Sequence, residues 1–266
     1  MISADLGKPL ARGRTADIYQ WENGRVLKLF HEWFDLADIL FEQKLGQQVH
    51  LSGLPVPAVG EILYVNGRNG LIYERVIGQN MWEAVQKQPW LIISLARKTA
   101  QLQAWMHATP IQSDLPLQRH RLENKLKSAK SLPDHLRKDS LIALSTLPDG
   151  NSICHGDFHP GNILLSPDRA VVIDWIDSSR GNPLADVART SIIVLGAART
   201  SQIPHYLSKF IVRLFHLIYI RTYFQLRPGG GAEYRRWLPV IAAARLSENM
   251  PELETWLLKL VKSGLR

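Results

Sequence analysis

The 266-residue sequence predicts an α+β protein: a small antiparallel sheet carrying one helix, followed by a larger, mainly helical region. Three observations predict it. β-rich runs joined by Asn-Gly turn signals occupy the first 77 residues. Apolar residues at helical spacing take over beyond Gly78. One pair of short apolar strands, "NILLS" and "AVVIDW", interrupts the helices around the turn Pro167-Asp168-Arg169.

Each element has its own local reason. "ADIYQW" and "RVLKLF" are rich in strand formers and are joined by Glu22-Asn23-Gly24, a hairpin signal. Leu36, Ile39, Leu40, Leu45 and Val49 fall at helical spacing between Leu36 and Leu51, and Gly53 and Pro55 end that run. "EILYV" and "GLIYERV" flank Asn66-Gly67-Arg68-Asn69-Gly70, a second hairpin. Helices are expected at Met81–Gln86, Trp90–His107, Arg119–Ala129 and Asp134–Ser145. After the strand pair, four more are expected near Leu184–Ala198, His205–Leu226, Ala232–Glu248 and Glu252–Val261. The change from strand to helix places a boundary near Val76–Asn80, and the chain shows no internal repeat, low-complexity tract or long linker.

Composition narrows the class. The single cysteine, Cys154, excludes an internal disulfide framework and fits a reducing, cytoplasmic setting. Inside the apolar run Ser152-Ile153-Cys154 it reads as a buried structural thiol. Met1 to Arg14 lacks an apolar signal-peptide core. Ile203 to Phe224 is interrupted by Lys209, Arg213, His216 and Arg221, so an amphipathic helix is expected there and no membrane span. The net charge is +8, and the segment from Ile176 to the end holds thirteen Lys or Arg against six Asp or Glu. These charges are scattered at helical spacing without a basic run or aromatic interleaving, so no nucleic-acid partner is expected; a small anionic ligand is the functional option.

The chemistry gathers in "ICHGDFHPGNILL", Ile153 to Leu165. His155 and His159 are four apart, but Pro160 and Gly161 oppose the helix that would bring them onto one face for zinc. No Gly-x-Ser-x-Gly elbow supports a serine hydrolase. Phosphoryl transfer explains more residues. It needs a carboxylate to orient or deprotonate an acceptor hydroxyl, oxygen ligands for magnesium, and a lysine for the donor phosphates. Asp157 and Asn162 stand as D-x-x-x-x-N on one loop, and Asp174 follows at the end of the apolar strand. A carboxylate there is costly unless it meets a cation, and a hard cation such as Mg2+ takes oxygen ligands.

"HGDFHPGN", "VIDW" and "GNPLADVAR" stand in the order and spacing of the aminoglycoside phosphotransferase / choline kinase-like family, which the sequence resembles over almost its whole length. The resemblance implies a two-lobed protein-kinase-like fold. Residues 1–77 would form the nucleotide-binding lobe, and residues 78–266 a helical lobe with the catalytic loop and acceptor site. It implies Asp157 as catalytic base, Asn162 and Asp174 as Mg2+ ligands, and His155 and His159 as shapers of the loop. Lys28 on "VLKLF" and Glu42 in the next helix would form an ion pair that aims the ammonium at the donor phosphates. The bland alternatives are an edge-strand lysine and a solvated helix charge. "ARGRTADIYQ" sits where a phosphate-covering loop belongs, though with Gly13 alone in place of a G-x-G-x-x-G run. Glu74 and Val76 of "YERVIG" would meet the purine through main-chain atoms, which leaves ATP and GTP both open.

The resemblance implies a small-molecule hydroxyl acceptor, bound by the helices after "DW". Here that region carries surplus positive charge, which favours a neutral or anionic acceptor over a polycationic aminoglycoside. Asp186 is expected to hydrogen-bond around the catalytic loop, while Asp177 is split between facing the acceptor and facing solvent. Trp237 is expected in the core and His107 in a packing or capping role. A nucleotide-binding pseudokinase or sensor is the second class, and the presence of Lys28, Glu42, Asp157, Asn162 and Asp174 argues against it. "DW" in place of D-F-G, with no A-P-E segment, argues against a protein kinase.

Overall fold

The computed structural model describes residues 4–110, 115–200 and 205–265. In chain order it begins with β1 (Ala11–Arg12), β2 (Ala16–Trp21), β3 (Arg25–Phe30), α1 (Leu36–Leu51), β4 (Val59–Val65), β5 (Arg68–Glu74) and β6 (Gln79–Asn80). Then come α2 (Met81–Lys87), α3 (Ile92–Ala108), α4 (Gln118–Ser128) and α5 (Asp134–Thr146). Four short strands follow: β7 (Ser152–Cys154), β8 (Ile163–Leu165), β9 (Ala170–Val172) and β10 (Ser179–Gly181). The chain finishes with α6 (Pro183–Thr200), α7 (His205–Leu226), α8 (Gly231–Arg245) and α9 (Pro251–Gly264). The described residues form two compact units: the chain up to Asn80 with Asn162–Ile176, and Met81–Gly161 with the rest from Asp177 on.

The first unit is an antiparallel sheet in the order β1-β2-β3-β5-β4 with α1 packed on it. Asn23 (φ 55°) and Gly24 (φ 67°) turn β2 into β3, and Asn66 (φ 49°) and Gly67 (φ 82°) turn β4 into β5. Left-handed residues at such turns match the right-handed twist of the strands they join. The second turn is tighter than the five-residue loop read from the sequence, because pairing resumes at Val65–Arg68. Period-two alternation sends Leu27 and Leu29 to one core with Val65 and Ile72. Phe30, Ala16 and Leu71 go to the other, against Ile39 of α1. Asp35 caps α1 by accepting from the Ala37 N–H at 2.8 Å. Ile39, Leu45 and Val49 are buried beneath it, each stabilising by roughly 1.5–3 kcal/mol. A second sheet, β6-β8-β9, is antiparallel throughout, and the Val172 N–H donates to Pro55 O at 2.8 Å.

The second unit is helical, with α3 against α7 and α8 against both α6 and α9. Phe215, Tyr219 and Tyr223 line the buried side of α7 and Trp237 is buried in α8, whereas Phe210 and Leu217 of α7 are exposed. Residues 203 and 204 of the apolar stretch read from the sequence lie outside the described residues. Among the described residues no helix is long and apolar enough to cross a membrane. An antiparallel ladder in this unit pairs β7 with β10, Cys154 opposite Ser179 and Ser152 opposite Gly181. His155 follows the first of these strands and Ser178 precedes the second.

Candidate active site

Three residues singled out from the sequence meet inside the first unit. Lys28 lies on the central strand β3 and shares its face with Phe30, toward α1. Its Nζ donates to Glu42 Oε1 at 2.7 Å and stands 3.6 Å from Asp174 Oδ1. Both bland alternatives fail, since Lys28 is not on an edge strand and Glu42 is only 2% exposed. Burial opposes the Lys28 charge, but Glu42 and then Asp174 outweigh it and hold its pKa above the ordinary value. Tyr73 also donates to Glu42 Oε1, at 2.6 Å. Glu42 Oε2 is buried and has no hydrogen-bond partner among the described residues.

Asp174 corrects one expectation. The strand stops at Val172, and Asp174 takes φ 66°, in the left-handed region, which costs a non-glycine residue roughly 1–2 kcal/mol. Its side chain is 45% exposed, not sunk in an apolar strand. The Ile173 N–H donates to Asn162 O at 3.0 Å, so Asn162 and Asp174 sit on adjoining backbone segments.

The other predicted residues of this unit lie elsewhere on it. The Gly13 N–H donates to Ala16 O at 2.9 Å, and a Cβ on Gly13 would come within 3.0 Å of that oxygen. The loop is tied to the end of β3, because the His31 N–H donates to Thr15 O at 2.9 Å. Glu74 ends β5 with its N–H given to Ala58 O and its carboxylate shared between the Ala58 N–H and Arg169. Val76 lies beyond the strand and is half-buried.

The second unit holds Asp157. Gly156 has φ 78°, and a Cβ there would collide with the Asp177 carbonyl, so no other residue fits without rearrangement. α6 grips both main-chain groups of Gly156: its N–H donates to Asp186 Oδ1 at 2.8 Å, and its carbonyl accepts from Arg189 Nε at 3.0 Å. Asp186 Oδ2 accepts in turn from Gln103 Nε2 at 2.9 Å and lies 3.1 Å from His107 Nε2. Asp186 therefore fastens the loop from below, and His107, which also contacts the Tyr223 hydroxyl at 2.7 Å, belongs to that buried network.

The Asp157 N–H donates to His155 Nδ1 at 3.2 Å and the Gly161 N–H to His159 Nδ1 at 3.0 Å, so each ring nitrogen braces the loop as an acceptor. His159 Nε2 then faces Asp157 Oδ2 at 3.6 Å, and Arg189 faces Oδ1 at the same distance. Burial pushes the Asp157 carboxyl upward, but the His159 contact, Arg189 and His155 together hold it well below the usual carboxylate range. It is ionised at neutral pH. Cys154 is fully buried and burial raises its thiol well above the ordinary range, which makes it inert.

Several contributors escaped the sequence reading: Tyr73, Gln103, Arg189, and the pair Arg121 and Lys125 facing Asp177 at 3.5 and 3.8 Å. Arg189 stood in view within "GNPLADVAR", three residues after Asp186, where helical spacing puts both on one face. Arg121 and Lys125 are likewise four apart on α4, but nothing local says which face of α4 meets Asp177.

A small antiparallel sheet carrying one helix, followed by a mainly helical unit, gives the α+β architecture of the protein-kinase-like fold. Residues 7–216 match the model of the phosphotransferase enzyme family, APH, and the chain belongs to that family; it is a small-molecule phosphotransferase. No curated protein sequence matches the chain. Among solved structures it is similar to a thermostable mutant of aminoglycoside phosphotransferase APH(4)-Ia in ternary complex with ADP and hygromycin B (16% identity, 97% of this chain and 92% of that one, TM-score 0.67). It is also similar to amicoumacin kinase hAmiN in complex with AMP-PNP, Ca2+ and Ami (17% identity, 97% and 87%, TM-score 0.66). A choline kinase from Cryptosporidium parvum Iowa II shares the fold at 12% identity (97% and 87%, TM-score 0.58). At these identities the likeness is one of fold.

Proposed function

We propose that the protein transfers the γ-phosphoryl group of a nucleoside triphosphate, ATP or GTP, to a hydroxyl of a small neutral or anionic molecule. The observation that carries the reading is Lys28 held between Glu42 at 2.7 Å and Asp174 at 3.6 Å in a buried setting. Such an ammonium is permanently charged and pre-oriented for phosphate oxygens. Glu42 fixes its direction, and Tyr73 fixes Glu42.

Asn162 and Asp174 would hold Mg2+. Their donor set fits, being one amide oxygen and one half-exposed carboxylate on adjoining segments. Magnesium commonly takes one or two protein oxygens and fills its shell with water and phosphate. Among the described residues no cluster of three or more His, Cys, Asp or Glu offers a protein cage. When bound, the ion would neutralise phosphate charge.

Asp157 orients the acceptor hydroxyl and takes its proton as the oxygen bonds to the γ-phosphorus and the nucleoside diphosphate leaves. Its depressed pKa suits it to orientation first, with proton transfer late, as expected for a loose transition state. Arg189 and His159 hold the carboxylate while the main chain of the loop is pinned by Asp186. The test is nucleotide-dependent turnover across a pool of hydroxyl metabolites. Asp157→Ala should abolish turnover with nucleotide binding nearly intact, and Asp174→Ala should weaken magnesium-nucleotide binding as well. Full turnover by Asp157→Ala would refute the role, and efficient phosphorylation of kanamycin-type polycations would refute the acceptor class.

A further inference from the structure

A cavity inside the second unit, about 40 Å³ in volume, is lined by Gln118, Arg121, Lys125, Gly156, Asp177 and Arg189 among others. We propose that it binds the carboxylate of the acceptor, so that the substrate is a compact hydroxy acid whose hydroxyl lies a few bonds from its carboxylate. The inference rests on the phosphotransfer reading above and names the chemistry of its acceptor.

Three cationic side chains, Arg121, Lys125 and Arg189, and the carboxylates of Asp177 and Asp186 line this space. Asp177 is reached by Arg121 at 3.5 Å and by Lys125 at 3.8 Å, both longer than a tight charge-assisted hydrogen bond of about 2.7–2.9 Å. The Asp177 carboxylate thus faces two cations. The third, Arg189, lines the cavity and is also paired with Glu248 at 2.5 Å. Burial lowers the Lys125 pKa, and Arg189 lowers it further, outweighing Asp177 and Glu248. A bound anion would relieve that conflict.

Size and position choose among anions. By the volume a single water needs, the cavity has room for roughly three to four waters, which suits a group the size of a carboxylate. A planar carboxylate also matches the fork of Arg121. The space borders the reacting group, because Gly156 lines it directly and Arg189 touches both the cavity and Asp157 Oδ1. An acid seated on Arg121 and Lys125 would therefore bring a nearby hydroxyl to Asp157.

The experiment is titration calorimetry on the full chain with glycolate, glycerate and threonate, and with glycerol, glycerol phosphate and choline for comparison. At least one hydroxy acid should bind, and glycerol and choline should not. Lys125→Gln and Arg121→Gln should each weaken that binding by about tenfold or more. Arg121→Lys should restore part of it. Lys127→Gln, which removes an exposed charge from the same helix, should leave it unchanged. The inference is overturned if no hydroxy acid binds more tightly than glycerol. It is equally overturned if glycerol phosphate or choline is preferred, or if Lys127→Gln weakens binding as much as Lys125→Gln. ADP formation is measured in parallel: acid binding without nucleotide-dependent turnover counts against phosphotransfer alone, and turnover of neutral or cationic alcohols only counts against the cavity assignment alone.

Discussion

Asp186→Asn is the most informative single substitution, because its effect follows from hydrogen-bond arithmetic and needs no substrate. The carboxylate is 1% exposed. Oδ1 accepts from the Gly156 N–H at 2.8 Å, while Oδ2 takes Gln103 Nε2 at 2.9 Å and faces His107 Nε2 at 3.1 Å. Asparagine is isosteric but keeps one acceptor oxygen and gains an N–H2 group. If that oxygen serves Gly156, the new N–H2 points at the donors of Gln103 and His107. If it serves them, it abandons the loop. A tautomer change can rescue His107, with its Nδ1 turned toward the Tyr223 hydroxyl, but Gln103 also contacts Tyr219 through its own oxygen and is less free to flip. At least one buried donor is left facing a donor, and the charge of the acceptor is lost. A hydrogen bond to a charged group contributes about 1.5–3 kcal/mol, so the helical unit should lose about 3 kcal/mol. That corresponds to a drop in Tm of roughly 6–12 °C for a unit of this size. Urea denaturation followed by circular dichroism measures the loss, and turnover should fall with it because the Asp157 loop hangs from Gly156. A shift within about 0.5 kcal/mol, the range of an ordinary surface change, would show that Asp186 does not fasten the loop.

Glu42→Gln keeps the shape of the pair and an acceptor oxygen but removes the nearer of the two carboxylate charges facing Lys28, leaving that of Asp174 at 3.6 Å; kcat/KM should fall by about tenfold or more with the change concentrated in nucleotide affinity, read from steady-state kinetics against nucleotide. Gly156→Ala should be more damaging to turnover than Gly67→Ala, since only the former adds a collision with the Asp177 carbonyl to the cost of a positive φ, and comparison of the two variants measures the difference. Stability of the helical unit should decline on acidification in two stages. His107 and His216 have folded pKa values lowered from 6.5, by burial above all, the latter to about 4. The unfolded chain therefore binds their protons first, and stability falls as pH drops from about 6.5 toward 4. Asp157 and Asp186 are depressed below 3.8, so their contribution persists above that value and is lost as pH falls further through their folded values. Urea melts across this range check it, and a flat profile between pH 6.5 and 4 would contradict the assignment of two buried neutral histidines.

Much of the architecture was legible locally. "ADIYQW", "RVLKLF" and the helix Leu36–Leu51 appear at the boundaries read from the sequence, because strand formers, Asn-Gly turns and a terminating glycine act within a few residues. The apolar run "AVVIDW" read too long for the same reason: hydrophobicity marks burial, whereas the strand ends where pairing ends, at Val172 against Ile163. β1, β6 and β10 are two or three residues each and carry no periodic signal; they exist because a neighbouring strand supplies their partner. For the candidate site, Asp157, Asn162 and Asp174 stood out by residue type and spacing on one loop and the apolar run after it. The burial of Glu42, the left-handed turn at Asp174 and the grip of Asp186 and Arg189 on Gly156 were not, since each joins residues far apart in the chain.

The sequence by itself determined the order of the main strands and helices, the charge surplus of the carboxy-terminal region and the loop carrying Asp157, all properties of neighbouring residues. Tertiary structure decided which charges met which partners. Lys28 and Glu42 are fourteen residues apart, and Lys125 and Asp177 fifty-two apart, and each is an ordinary charge until folding excludes water and leaves a chosen partner within reach. Desolvation and geometry are collective properties of the packed chain, and that is the physical reason they could be read only from the fold.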